Sequence, residues 1–357
     1  MTPLPLGSTI GIIGGGQLGR MLAMSAARLG YRTIVLEPQA DCPAAQTANR
    51  QIVAGYDDVD ALAELARECA IVTYEFENVP VEAAKALAAT VPVFPPAYAL
   101  EVAQDRLVEK TALNAMGIET ARFVAVDSDD DLRAALAAFG GSGVLKTRRM
   151  GYDGKGQKVF RNASTDAAEG VYAAMGGVPL ILEALVPFER EVSVIAARGL
   201  DGQVEAYDPA ENVHRDGILH TSSVPATASD ATLSAARKAA ASILDGLGYV
   251  GVIGVEFFLL ADGSVLVNEI APRVHNSGHW TEAACAVSQF EQHIRAVVGQ
   301  PLGDSRRHSD CVMENLIGND IDRVPHLLAE PNVVLHLYGK VEARAGRKMG
   351  HFTRLVR

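Results

Sequence analysis

Apolar and polar positions along the first hundred residues switch between two periods. Thr9 to Ile13, Thr33 to Leu36, Ile71 to Tyr74 and Val91 to Phe94 are short apolar runs that read as buried strands, whereas Leu18 to Leu29, Ala61 to Glu68 and Val81 to Ala88 carry a helical repeat. Strand and helix in alternation predict an open parallel sheet with helices on both faces. Pro92, Pro95 and Pro96 close this region and Asp105 opens a new helical pattern, which sets the first boundary.

From Asp105 the pattern changes to a helix, a strand ending in Val144-Leu145-Lys146, a glycine-rich loop, a strand at Lys158 to Phe160, a helix, and the apolar run Pro179 to Val186. This predicts a small α+β lid. Beyond it, Val192 to Ala197, Gln203 to Tyr207, Val250 to Leu260 and Ser264 to Ile270 read as strands, with a helix over Ser229 to Leu247. Strands returning through tight turns imply an antiparallel sheet. The expected division is 1–104, 105–187 and 188–357.

Composition narrows the function classes. The 357 residues carry 32 Lys plus Arg against 43 Asp plus Glu, a formal charge of −11, the wrong sign for binding a nucleic-acid backbone. The longest apolar stretch, Gly248 to Leu260, contains Glu256 and falls short of the ~20 residues of a membrane helix. MTPLPLGST lacks the basic start of a signal peptide. Cys42, Cys69, Cys285 and Cys311 lie far apart, with no zinc or disulfide spacing, so a cytoplasmic protein is expected.

Gly14-Gly15-Gly16-Gln17-Leu18-Gly19 fits G-x-G-x-x-G between a predicted strand and a predicted helix, with Glu37 at the end of the next strand. That arrangement reads as a dinucleotide site. The physics is broader, because glycines let backbone N–H groups reach any anion at a helix N-terminus, a sugar phosphate included. A tight turn without ligand also satisfies it. A second loop, Gly151-Tyr152-Asp153-Gly154-Lys155-Gly156-Gln157, joins the Lys146 strand to the next strand and is flanked by Arg148 and Arg149. It suits a flap over polyphosphate, although it is no Walker loop; a solvated hairpin turn is the plainer alternative.

Asp262-Gly263 is a favoured two-residue hairpin turn, which pairs Ala261 with Ser264 and, counting outward, Glu256 with Glu269. Two carboxylates about 4 Å apart repel by roughly 4 kcal/mol at an effective dielectric of 20. A bound cation removes the conflict, and oxygen donors with nucleotide phosphates suit magnesium. Protonation of one carboxylate, or a bulge, would remove it too. The loop Ala271-Pro272-Arg273-Val274-His275-Asn276-Ser277-Gly278-His279 follows directly, and Arg273 is placed to hold an anion or to neutralise the glutamates.

These motifs, with TYEFENV at 73–79, DR at 105–106, DGILHTS at 216–222, NEIAPRVHNSGHWT at 268–281 and GRKMGH at 346–351, resemble the ATP-grasp superfamily. Within it they resemble the 5-(carboxyamino)imidazole ribonucleotide synthetases of purine synthesis. The resemblance implies an ATP-grasp fold, α/β and α+β, with an N-terminal Rossmann-like sheet, a lid and a C-terminal antiparallel-sheet domain. It implies a carbon–nitrogen ligase that uses ATP, Mg2+ and bicarbonate to carboxylate 5-aminoimidazole ribonucleotide through carboxyphosphate, and a homodimer.

Carried over position by position, the resemblance gives Arg106, Lys146, the loop Gly151, Tyr152, Asp153, Gly154, Lys155, Gly156 and Gln157, the adenine hinge Glu183, Ala184, Leu185 and Val186, then Glu191, His214, Asn268 and Glu269 as nucleotide contacts. Glu256 and Glu269 are implied as magnesium ligands. Gly16, Gln17, Leu18, Glu75, Tyr152, Asp153, Arg347 and Lys348 are implied for the ribonucleotide, and Arg273, His275 and Asn276, with Lys146, for the reaction itself. The superfamily often places a metal-binding asparagine where Ala271 stands, which leaves that ligand open. A nicotinamide oxidoreductase, a noncatalytic nucleotide module and a formate-activating ligase acting on glycinamide ribonucleotide are the rival readings. The first two leave the glutamate pair or the histidine-bearing loop without a task, and the HNSGHW segment favours carboxylation over the third.

Overall fold

The computed structural model describes residues 2–151 and 156–356. Four parallel strands form the N-terminal sheet in the order Arg50–Ile52, Arg32–Leu36, Thr9–Ile13, Ile71–Tyr74. Its two faces are covered separately. Ile10 and Ile12 pack with Met21 and Leu22 of the helix Gln17–Arg28 and with Phe290 and Ile294 of the helix Gln289–Val297. Ile13 and Leu36 pack with Leu62, Leu65, Ala84 and Leu87 of the helices Val59–Glu68 and Val81–Ala88.

The strand expected at Val91 to Phe94 reduces to a single parallel bridge between Val72 and Val93. Pro92 and Pro95 carry no N–H and cannot extend a ladder, so only Phe94 donates, to the Val72 carbonyl. The edge strand Arg50–Ile52 was not expected: only Ile52 in it is buried, which leaves no alternation to read.

The lid is an antiparallel sheet ordered Phe123–Val126, Leu180–Ala184, Gly143–Thr147, Gln157–Phe160, with the helix Asp129–Ala138 against it. The helix Arg106–Ala115 packs elsewhere. Asp105 caps it by accepting from Leu107 and Val108, and its Leu113 joins the core of the larger sheet with Phe257, Val267 and Ile270. That larger sheet has nine strands and continues through Cys311–Ile317, Lys348–Leu355 and Val333–Leu337 to the C-terminus. The helix Asp230–Gly246, capped by Ser229, covers one side of it. All four cysteines are buried and free. Among the described residues no helix is long and apolar enough to cross a membrane.

Candidate active site

The hairpin Gly251–Leu260 to Val265–Ala271 brings Glu256 opposite Glu269, by a different route from the expected one. The turn spans three residues, not two: Leu260 donates to Ser264 and Gly263, at φ 83°, donates to Leu260. Pairs next to the turn, such as Leu259 with Val265, are therefore one residue out of the predicted register. A bulge between Glu256 and Phe257 takes up the difference at Asn268 and restores the glutamate pair. Two departures cancel, and the carboxylates meet where the simple count put them.

The electrostatics of the pair are lopsided. Burial and the charge of Glu269 push the Glu256 pKa up to about 7. Burial also works against ionised Glu269, but Arg106, 2.8 Å away, and then Lys146 outweigh it and bring that pKa down to about 2. At neutral pH one carboxylate is firmly ionised and its neighbour only partly so. The Asn268 side-chain oxygen, at the bulge between them, is buried without a hydrogen-bond partner. Two carboxylates and an orphaned amide oxygen form a hard oxygen donor set that fits Mg2+. The chain thus offers Asn268 as a further oxygen donor, although Ala271 holds the position the superfamily pattern would use.

Basic groups surround this hairpin, and most are held by carboxylates. Lys146 reaches Glu183 at 2.9 Å, and the fully buried Lys110 lies 3.5 Å from the same oxygen while donating to the Asn268 carbonyl. Burial lowers the Lys146 pKa, opposed by Glu183 and assisted by Arg106 and Lys110. Sequence reasoning missed Lys110; it stands one helical turn after Arg106, on the face packed against Val265–Ala271, and that spacing was the available signal. Glu109 beside it accepts from the Ile270 N–H, and burial raises its pKa to about 7. The two lysines share Glu183 Oε2, while Oε1 is buried without a hydrogen-bond partner, so the expected adenine hinge offers a base one carboxylate oxygen besides its backbone groups. The Ala184 N–H is taken by the Arg122 carbonyl, while Leu185 and Val186 lead toward Phe188. Phe188 stacks on Phe258 with ring centres 4.6 Å apart, and both line the cleft.

Glu191 and His214 face each other across neighbouring strands at 2.7 Å. Burial opposes protonation of His214, but Glu191, then Glu256 and Glu269, raise its pKa. Arg148 and Arg149, expected beside the polyphosphate, are instead anchored on Asp105, Arg148 through two hydrogen bonds of 3.0 and 2.9 Å. Gly151, Gly156 and Gln157 line the cleft, whereas Tyr152, Asp153, Gly154 and Lys155 lie outside the described residues.

At the first glycine turn the donors are largely spoken for. Gly15 donates to Glu37 at 2.8 Å, and Tyr56 also donates to that carboxylate. Gly16 and Gly19 both donate to Glu75. A side chain at Gly16 would set its Cβ 2.7 Å from the Glu75 carboxylate, so that carboxylate would have to shift from the turn to admit it. Burial raises the Glu75 pKa against the lowering pull of these N–H groups. Helix geometry leaves Gln17 and Leu18 without intrahelical acceptors, and both line the cleft with Lys348. Arg347 turns away and donates to the Glu342 carbonyl at 2.9 Å. Lys340, missed from sequence, donates to the Lys348 carbonyl, and burial with Arg347 and Lys348 nearby brings its pKa down to about 8.

The loop after Ala271 links the two ends. Arg273 binds Glu77 at 2.5 Å and donates to the Val274 carbonyl. His275 bonds Ser277 through Nδ1 and places Nε2 3.5 Å from Glu256; burial, then Arg273 and Lys348, lower its pKa to about 3. Gly254 makes room for it, since a Cβ there would lie 2.6 Å from that of His275. Asn276 exchanges two hydrogen bonds with Asn315, at 2.9 and 2.8 Å. One cleft of about 580 Å³ runs from Gln17 and Glu75 past Arg273, His275 and Asn276 to Lys146, Glu256, Glu269 and Phe258.

Comparisons with known proteins agree with this architecture. A ribonucleotide synthetase preATP-grasp domain matches residues 7–104, an ATP-grasp domain 111–290, and a phosphoribosylaminoimidazole carboxylase C-terminal domain 311–357. The N5-carboxyaminoimidazole ribonucleotide synthase of Brucella melitensis biotype 1 is 66% identical over 354 residues, covering 99% of this chain and 98% of that protein. The N5-carboxyaminoimidazole synthetase of Staphylococcus aureus, complexed with ADP, superposes with TM-score 0.94 at 39% identity, over 100% of this chain and 95% of the other. The Aspergillus clavatus synthase, in complex with ADP and 5-aminoimidazole ribonucleotide, gives TM-score 0.91 at 32% identity, over 98% and 94%. With two thirds of its residues identical to the Brucella melitensis protein over nearly the whole of both chains, and all three domain models matched in order, the chain belongs to the N5-carboxyaminoimidazole ribonucleotide synthase family of ATP-grasp enzymes.

Proposed function

We propose that this chain carboxylates the exocyclic amine of 5-aminoimidazole ribonucleotide at the expense of ATP and bicarbonate. A bicarbonate oxygen attacks the γ-phosphorus and ADP leaves, forming carboxyphosphate. The amine nitrogen then attacks the carboxyl carbon, phosphate leaves, and the nitrogen loses a proton. The observation that carries the reading is the single cleft in which the glycine turn and the glutamate hairpin meet on either side of Arg273.

In this reading Lys146 and Arg106 exchange their carboxylate partners for phosphate oxygens when nucleotide enters, and Phe188 and Phe258 flank the base. Mg2+, held by Glu256, Glu269 and Asn268, would supply charge neutralisation for phosphoryl transfer. Arg273, steadied by Glu77, holds the bicarbonate anion through its remaining guanidinium donors. His275, neutral across the working pH range, orients by donation from Nε2 and is too weak a base to carry the proton. Gln17, Leu18, Glu75 and Lys348 receive the ribonucleotide. Tyr152 and Asp153 of the flap would close over both, excluding water from carboxyphosphate.

Steady-state ADP release with bicarbonate, with and without aminoimidazole ribonucleotide, tests the reading: it requires a rate that depends on both. ADP release indifferent to the ribonucleotide, or driven by formate with glycinamide ribonucleotide, would sink it. The homodimer and the cytoplasmic location expected of the family belong to the same reading, and light scattering at micromolar concentration tests the first.

A further inference from the structure

A second cluster of donor side chains lies behind the cleft, in the C-terminal hairpin. His336 on the strand Val333–Leu337 pairs directly with His351 on the strand Lys348–Leu355. Directly opposed residues present their side chains on the same face, and the two rings stack with centres 5.4 Å apart and planes 15° apart. The short helix Thr281–Ala284 sets Glu282 above them. One carboxylate oxygen of Glu282 lies 3.2 Å from His336 Nδ1 and 3.5 Å from His351 Nε2. One donor atom from each of the three lies within 4.8 Å of the others.

We propose that Glu282, His336 and His351 form a binding site for a divalent transition ion of the zinc class. Ligands about 2.0–2.1 Å from a tetrahedral ion stand about 3.3 Å from one another, close to the two separations observed. Two imidazole nitrogens and one carboxylate suit zinc, and a magnesium ion would take oxygen donors instead. A supporting contact is in place: the buried Tyr338 hydroxyl lies 2.9 Å from His351 Nδ1, so that ring can donate through Nδ1 and turn the Nε2 lone pair toward the site. Access is present as well, since the side chains of His336 and Glu282 are 13% and 25% exposed.

The ion would act as a staple. Glu282 follows the Arg273 to Asn276 loop in the chain, and His351 sits on the strand that begins at Lys348. Binding would tie the loop segment to the hairpin bearing a cleft-lining lysine, without placing the ion in the reacting centre.

The test uses the whole protein, stripped with chelator, then equilibrated with Zn2+ in a large excess of Mg2+ and desalted for metal analysis. One equivalent of zinc should remain on the wild type and on Glu269→Gln, and be lost in His336→Ala and Glu282→Gln. Tyr338→Phe should keep the site with affinity weakened about tenfold or more. Zinc should raise the melting temperature of the wild type and leave that of His336→Ala unchanged, which separates a lost ligand from a lost fold. Co2+ should give the absorption of a tetrahedral nitrogen–oxygen site. Wild type that retains no stoichiometric zinc, or zinc retained equally by His336→Ala and Glu282→Gln, would overturn the proposal and leave Glu282 as a carboxylate that simply accepts from two imidazoles.

Discussion

The first glycine turn and the glutamate hairpin lie at opposite ends of one cleft, and they deal with buried carboxylates in opposite ways. At the turn, Glu75 finds donors inside the chain, the N–H groups of Gly16 and Gly19. At the hairpin, Glu256 finds chiefly another carboxylate, and its pKa rises to about 7. A glycine turn is an array of donors, and any nearby anion can claim it, including one from the same protein. A pair of opposed carboxylates is an array of acceptors that the fold leaves incomplete. The incomplete array is the stronger pointer to a ligand, which is why a G-x-G-x-x-G match says less here than the pairing of Glu256 with Glu269.

The comparison breaks most visibly under charge removal at the hairpin. Glu256→Gln and Glu269→Gln should each lower ADP release by about 10²–10³-fold, the scale of losing one preorganised electrostatic group. Their stabilities should part company when metal is absent. Glu256→Gln relieves repulsion and should raise the melting temperature, whereas Glu269→Gln strips Arg106 of its partner and should lower it by a few degrees. The latter effect is moderated because the Glu269 side chain is 38% exposed and solvent screens the pair. Thermal melts in chelator at pH 8 check both signs; a fall for both variants would show that Glu256 is not under strain.

A pH titration sharpens the same point. The folded-state pKa of Glu256 lies above its unfolded value of 4.5, so ionising it costs stability as pH rises through about 7 in metal-free protein. A cation that needs this carboxylate ionised must displace its proton, so magnesium affinity should fall about tenfold per pH unit below 7. Glu269, ionised down to about 2, adds no step in that window. Isothermal titration with Mg2+ and nucleotide between pH 5.5 and 8 would expose the slope, and a flat profile would remove Glu256 from the ligand set.

Much of this was legible in the residues. Period and turn signals located most strands and helices, and the glutamate pair followed from counting outward from Asp262-Gly263. The count succeeded because the three-residue turn and the bulge at Asn268 offset one another, and neither is written in a local pattern. Partners distant in sequence were the main blind spot. Nothing near Glu75 announces Gly16, and nothing near Arg148 announces Asp105, because such pairs are set by how separate elements pack. Asn315, on the strand Cys311–Ile317, and Lys340, in the segment after the strand Val333–Leu337, meet Asn276 and Lys348 of the cleft lining only through the folding of the nine-stranded sheet.

At the turn, Glu75→Ala should leave the Gly16 and Gly19 N–H groups without their acceptor, at a cost of about 1–3 kcal/mol in folding stability. The same change should raise the KM for the ribonucleotide and leave that for ATP nearly as it was. Denaturant melts and initial rates separate the two effects, and a rise confined to the ATP KM would contradict the division of the cleft.

The smallest effect is expected at Glu37, the residue that a dinucleotide reading would make central. In the structure its carboxylate accepts from the Gly15 N–H and the Tyr56 hydroxyl, so its work is to hold the turn in shape. Glu37→Gln keeps an oxygen acceptor of similar reach and should cost no more than about 1 kcal/mol, the scale of one ordinary hydrogen bond. ADP release should stay close to wild type, because Glu37 lies outside the cleft lining that joins Glu75 to Glu269. Titration with a nicotinamide dinucleotide should produce no saturable change in fluorescence for either protein. Saturable dinucleotide binding that disappears in Glu37→Gln would mean that the turn's donors can be surrendered by Glu37 and Glu75 to an outside phosphate, and the contrast between a completed donor array and an incomplete acceptor array would fail at its first term.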